Sequence, residues 1–203
     1  MTEPSIRSRI ASTTDTYDLM AASFRRWLEA SNKSRKTVQT YGECLSSLRR
    51  FLDARGMPTD PAALTREHLS EYITDQLARW KPATANNRYR GLQQFFKWLE
   101  EEGEITVSPM ARMKPPLVPV EPPAVISDAA LKKLLKTCEG SDLTARRDMA
   151  IIRLFLDTGM RRAELANLTL DDLDLDNRIA RVLGKNRRPR ACPFGRRTAL
   201  ALD

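Results

Sequence analysis

Arg161 and Lys185 are the residues of this sequence best suited to chemistry on a phosphate. Arg161 sits in Thr158-Gly159-Met160-Arg161-Arg162-Ala163-Glu164-Leu165, which reads as a buried helix, a glycine stop and a new helix that begins with arginine. Lys185 sits in Leu183-Gly184-Lys185-Asn186-Arg187-Arg188, which reads as a lysine at the tip of a short β-turn. Phosphoryl transfer on a phosphodiester needs positive donors around oxygens that gain charge and a proton for the departing 5′ oxygen. Arginine suits the first task, because its planar fork makes two parallel bonds to a phosphate and keeps its proton. Lysine suits the second, because a desolvated ammonium beside other cations can release a proton.

The surrounding charge supports a polyanion as partner. The chain carries a net charge of +8, yet the excess is local: eight basic residues and no acidic one lie between Arg178 and Arg197. Such a patch concentrates nucleic acid. Cys44, Cys138 and Cys192 are odd in number and lack metal-ligand spacing, and so read as reduced thiols. There is no signal-peptide core and no apolar run of membrane-spanning length, which makes a cytoplasmic, membrane-free protein the expectation. No Ser/His/Asp set, metal cluster or glycine-rich phosphate loop offers another mechanism.

The elements that must position these residues follow from periodicity. Residues 1–14 are polar and are expected to be disordered. Over residues 15–103 apolar residues recur at helical spacing in four stripes: Met20, Phe24, Trp27, Leu28; Val38, Tyr41, Leu45, Leu48, Leu52; Leu69, Tyr72, Ile73, Leu77, Trp80; and Tyr89, Leu92, Phe96, Leu99. They predict a four-helix bundle with aromatics in its core. His68, in the first turn of the third helix, reads as a surface or capping histidine. Residues 104–123 hold six prolines and predict an extended, semi-stiff linker. Over residues 124–203 the pattern predicts a helix from Ser127 with Leu131, Leu134 and Leu135 buried, and a helix over Met149–Leu156 buried on most sides. A short helix at Arg161–Leu168, an acidic turn region at Leu170–Asn177 and two strands, Arg178–Leu183 and Arg190–Phe194, complete it; Pro193 places the second strand at an edge.

The Thr-Gly-x-Arg-x-x-Glu-Leu segment, the Leu-Thr-Leu-Asp-Asp-Leu-Asp-Leu stretch after it and the lysine hairpin resemble the first half of the catalytic domain of the tyrosine recombinases, the phage-integrase and Xer-type family. The resemblance implies a mainly α protein: an N-terminal four-helix core-binding (SAM-like) domain, a proline-rich linker and a partial α/β catalytic domain with a small β-hairpin. Arg161 would correspond to the family's first catalytic arginine, Lys185 to its hairpin lysine 24 residues on, Glu164 to the motif's structural acid, and Pro193 to the proline ending the second strand. Where the family often has Gly-Asn-Lys the chain reads Asn186-Arg187-Arg188, so Lys185, Arg187 and Arg188 are alternatives for the tip cation.

Two segments of the bundle put cations beside hydroxyls and amides at helix starts, where free backbone N–H groups hold phosphates. They supply Lys33, Arg35, Lys36 and Thr37 in the first, and Lys81, Thr84, Asn86, Asn87, Arg88 and Arg90 in the second. With Arg187, Arg188 and Arg190 these are the expected DNA-binding residues, and both segments resemble the family's core-binding domain. The implied partner is double-stranded DNA, with a homo-oligomer on DNA left open. The family's reaction, a strand exchange through a 3′-phosphotyrosyl intermediate, needs no metal or cofactor. Tyr17, Tyr41, Tyr72 and Tyr89 all precede Arg161, and the sequence stops at Asp203, before the family's second arginine, histidines and nucleophilic tyrosine. The expectation is therefore DNA binding without strand cleavage by these 203 residues, the alternatives being a non-catalytic DNA-binding regulator or remnant of an integrase, or a basic helical protein that binds RNA.

Overall fold

The computed structural model describes residues 15–120, 122–184 and 188–203, in two compact units that divide at Glu121 and Pro122. It is mainly helical, with one small antiparallel sheet.

The first unit holds α1 (Thr16–Ala30), α2 (Arg35–Arg55), α3 (Arg66–Arg79) and α4 (Pro82–Glu101). Each start is legible in its cap. Asp15 accepts from Tyr17 N, and Ser34 accepts from Thr37 N. Thr65 and His68 bond each other's backbone N–H in a reciprocal box, so the histidine is a capping group. Pro82 opens α4 with a φ already set for helix. The core is aromatic: Phe24 and Phe95 meet edge-on with ring centroids 5.4 Å apart, as do Phe51 and Tyr72. Gly91 lets α4 approach α2, since a Cβ there would lie 2.7 Å from Cys44 Sγ.

Two expectations for this unit change. Leu77 and Trp80 are about half exposed, because α3 ends at Arg79 and Trp80 stands in extended backbone at its C-cap. The Trp80 ring instead lies under Arg88, whose Cζ is 5.1 Å from the ring centroid. The stretch after α4, expected as an extended linker, packs on the bundle through its first half. Ile105 and Met110 are buried, Tyr89 Oη donates to Met113 O at 2.7 Å, and Asn86 Nδ2 donates to Pro116 O at 2.8 Å. Leu117 and Val120 beyond it are exposed.

The second unit holds α5 (Asp128–Thr137), α6 (Leu143–Thr158), α7 (Arg162–Ala166), β1 (Leu173–Asp174), β2 (Ile179–Leu183), β3 (Pro189–Pro193) and α8 (Arg196–Leu202). The sheet order is β1-β2-β3, which leaves β3 at an edge where Pro193 is tolerated. Ala180 and Val182 face the core with Leu154, Met160, Cys192 and Phe194, while Arg181 and Leu183 face out. β1 is an addition to the expected hairpin, formed where Leu173 and Asp174 pair with Ala180 and Ile179.

Helix burial here is lower than the sequence pattern suggests. No residue of α5 is fully buried, Leu134 is exposed, and in α6 only Leu154 is buried while Leu156 is exposed. α8, α5 and β3 pack against α6 yet leave most of its apolar residues only half-buried, so an all-round apolar pattern does not end in all-round burial. No helix among the described residues is long and apolar enough to cross a membrane, and all three cysteines are unpaired and buried.

Candidate functional site

The turn that presents Arg161 is built by three local devices. Gly159 ends α6 in the left-handed region at φ +57°. Thr158 bonds back to Leu154 O and accepts from Met160 N, and Met160 is buried as an anchor. Arg161 is therefore held in extended backbone as the N-cap of α7.

Glu164, three residues into that helix, closes the turn. Its Oε2 accepts from Arg161 N at 2.8 Å and its Oε1 from Arg161 Nη1 at 2.7 Å. Its Oε2 also accepts from Nη2 of Arg190 on β3, at 2.7 Å. The Glu164 side chain is 4% exposed, whereas those of Arg161 and Arg190 are 65% and 41% exposed. One buried carboxylate thus mounts two arginines that reach solvent. The backbone hydrogen bond from Arg161 and the side-chain bond from Arg190 are the largest causes that hold the Glu164 carboxyl down at about 2. The same bond raises the affinity of Arg190 for its proton.

The hairpin root lies against this group. Gly184 N donates to Arg188 O at 2.8 Å, and a Cβ on Gly184 would stand 3.6 Å from Glu164 Oε1. Lys185 and Arg187 lie outside the described residues. Chain connectivity makes Lys185 the residue that follows Gly184. Arg188 is exposed at the start of the returning arm. Arg161, Glu164 and Arg190 are thus brought together at the root of the loop that carries the expected lysine.

Two guanidiniums on one carboxylate leave a net positive charge with unused N–H donors facing water. That arrangement can receive a phosphate through charge-assisted bonds without reorganising, because Glu164 fixes both forks beforehand. Among the described residues no His/Cys/Asp/Glu group could hold a metal ion.

In the first unit the sequence-predicted residues fall into two places. Lys33 and Arg35, with Arg25, line a concavity of about 460 Å³ at the start of α2. Thr84, Asn87 and Arg88 line another, of about 630 Å³, between α2 and α4, together with Thr40, Ser46 and Arg50. Arg50 went unremarked in the sequence because only the α2–α4 crossing places it beside Arg88. Lys36 is exposed and bonds Gln39, Thr37 shares its hydroxyl with Ser34, and Lys81 and Arg90 are exposed. Asn86 is not in the α2–α4 group: its amide holds Pro116 O.

Residues 124–203 match the model of the phage integrase family, and residues 20–103 that of the phage integrase N-terminal SAM-like domain. The chain is 33% identical over 186 residues to tyrosine recombinase XerC of Chromohalobacter salexigens, covering 90% of this chain and 61% of that protein. It is 34% identical over 176 residues to XerC of Mycobacterium tuberculosis, covering 84% and 58%. The chain thus spans little more than half the length of the curated relatives it matches. Its fold is like that of a lambda integrase tetramer bound to a Holliday junction, with a TM-score of 0.70 at 21% identity over 94% of this chain and 54% of that one. It is also like that of the Tn1549 transposon integrase in complex with circular intermediate DNA, with a TM-score of 0.67 at 20% identity over 93% and 63%. With both family models matched in order along one sequence, the chain belongs to the tyrosine recombinase family.

Proposed function

We propose that these 203 residues are the duplex-binding and phosphate-holding part of a site-specific DNA recombinase or integrase. The observation that carries the reading is the Glu164 carboxylate bonded to both Arg161 and Arg190 at the root of the lysine hairpin. In this reading Arg161 stabilises the equatorial oxygens of the pentavalent transition state, and Arg190 adds positive charge at its side. Lys185, by its place after Gly184, protonates the leaving 5′ oxygen. The α2–α4 groove, with Arg50, Arg88, Thr84 and Asn87, holds backbone phosphates of the flanking duplex.

The attack itself is assigned to a tyrosine outside these residues. Tyr17 Oη donates to Leu45 O, and burial raises its pKa far above the usual tyrosine range. Burial pushes Tyr72 up to about 12 and Tyr89 upward, and Tyr89 Oη is bonded to Met113 O. Tyr41 is half-buried and stacked on Phe24 with ring centroids 6.1 Å apart. None is an available nucleophile.

The test pairs two assays on the full chain. Fluorescence anisotropy with a labelled duplex is expected to show salt-dependent binding, and a nicked suicide duplex is expected to leave no covalent protein–DNA adduct on denaturing gels. A covalent adduct would overturn the assignment of the attack to another segment, and absence of duplex binding would overturn the DNA reading.

A further inference from the structure

A second concentration of positive charge lies in the second unit, on α6 and α8. The two helices run antiparallel, because Gly195 N and Thr198 Oγ1 at the start of α8 donate to Asp157 Oδ2 at the end of α6, at 2.7 and 2.6 Å. Farther back along α6, the groove between them opens into a concavity of about 550 Å³ lined by Arg146, Met149, Arg153, Arg197 and the end of α5. Arg146, Met149 and Arg153 recur at the spacing that keeps side chains on one helix face, and Arg197 faces them from α8.

These arginines lack the carboxylate partner that eight others in the chain have. Arg25, Arg49, Arg55, Arg79, Arg147, Arg161, Arg181 and Arg190 each pair with a carboxylate. Among the described residues Arg146 and Arg197 have no acceptor, and the half-buried Arg153 directs Nε at the thioether of Met149, 3.2 Å away, which is a weak acceptor. Glu139, also on the lining, makes no ion pair with them. Three like charges that share one concavity repel one another, and an oxyanion that accepts from several forks relieves the repulsion. Donors arriving from two helices fit a tetrahedral oxyanion better than a planar carboxylate, which a single fork already satisfies.

We propose that Arg146, Arg153 and Arg197 form a phosphate-binding site in the α6–α8 groove, separate from the Arg161 group and independent of the function assigned to it. The phosphate is either a free phosphate or a backbone phosphate of duplex DNA. The experiment titrates orthophosphate into the full chain in the Arg161→Gln background, at ionic strength held constant with chloride, and reads binding by calorimetry. Saturable binding is expected, weakened about tenfold or more by Arg153→Gln or Arg197→Gln, as loss of a charge-assisted bond implies. Arg153→Lys, which keeps the charge, is expected to retain part of it, and circular dichroism checks that each variant is folded. A second arm measures duplex affinity against salt. If DNA supplies the phosphate, each arginine removed lowers the log–log slope by about 0.9. Phosphate binding no stronger than that of a variant carrying both Arg153→Gln and Arg197→Gln in the same background, together with unchanged duplex slopes, would overturn the site.

Discussion

Glu164 in the first turn of α7 and Arg190 on β3 meet at 2.7 Å across 26 residues of sequence, and the same carboxylate holds Arg161. The bond joins the arginine turn to the hairpin, so the positions of the two guanidiniums depend on one acid remaining ionised. Its folded-state value of about 2 lies below the ordinary 4.5. A depressed acid stabilises the fold above its unfolded pKa and loses that contribution as pH falls through the folded one. Thermal unfolding at graded pH is therefore expected to show a gap between the parent and Glu164→Gln that is full above pH 4.5 and closes toward pH 2. A gap that persists unchanged at pH 2 would show that Glu164 acts through packing and not through its charge.

Arg161 is the more exposed of the two mounted arginines and the one that the family motif supplies. Arg161→Ala is expected to lower duplex affinity and to reduce the salt slope by about one phosphate contact, or 0.9. Arg161→Lys should keep the slope while losing part of the affinity, because a lysine restores the charge but not the fork. Anisotropy titrations at several salt concentrations check both, and a slope unchanged in Arg161→Ala would remove Arg161 from the DNA interface.

Much of this arrangement was legible in the sequence, for reasons specific to each residue. Gly159 announces a helix stop because few residue types besides glycine suit its left-handed backbone, and Thr65 with His68 announces a cap. Arg190 was expected on DNA, but its bond to Glu164 joins residues 26 apart in the sequence, a contact that no local pattern encodes. The same limit applies to Arg50, which α2 places beside Arg88 only after folding. Trp80 and Leu77 fitted a helical period that the helix itself does not sustain, since period says nothing of where α3 ends. The prolines after Gly103 suggested an extended linker, yet Ile105 and Met110 supply enough apolar surface to dock the chain on the bundle.

The α2–α4 crossing makes a prediction in which two effects of opposite sign compete. Gly91→Ala in a helix interior would ordinarily gain about 1 kcal/mol from reduced backbone entropy. Here the new methyl would lie 2.7 Å from Cys44 Sγ and 3.0 Å from its Cβ, so overpacking, which costs about 1–3 kcal/mol, should win. Chemical denaturation is expected to show Gly91→Ala less stable than the parent. Adding Cys44→Ala removes the Sγ contact and leaves the tighter-than-usual Cβ one, so the double variant should recover part of the loss, a coupling that independent sites would not show.

The docked segment after α4 is held at its far end by two side chains of that helix. Tyr89→Phe removes the hydroxyl that bonds Met113 O and leaves the ring in the core, so the loss should be about 0.5–1.5 kcal/mol, the net worth of one hydrogen bond. Asn86→Ala removes the bond to Pro116 O, a more exposed contact, and should cost less. The sharper readout is local. Hydrogen exchange at residues 104–116 is expected to accelerate in Tyr89→Phe while the amides of α1 and α2 keep the parent's protection, because the segment can lift without opening the bundle core. Equal acceleration throughout the unit would instead make the segment an integral part of the core, with Tyr89 among its structural members.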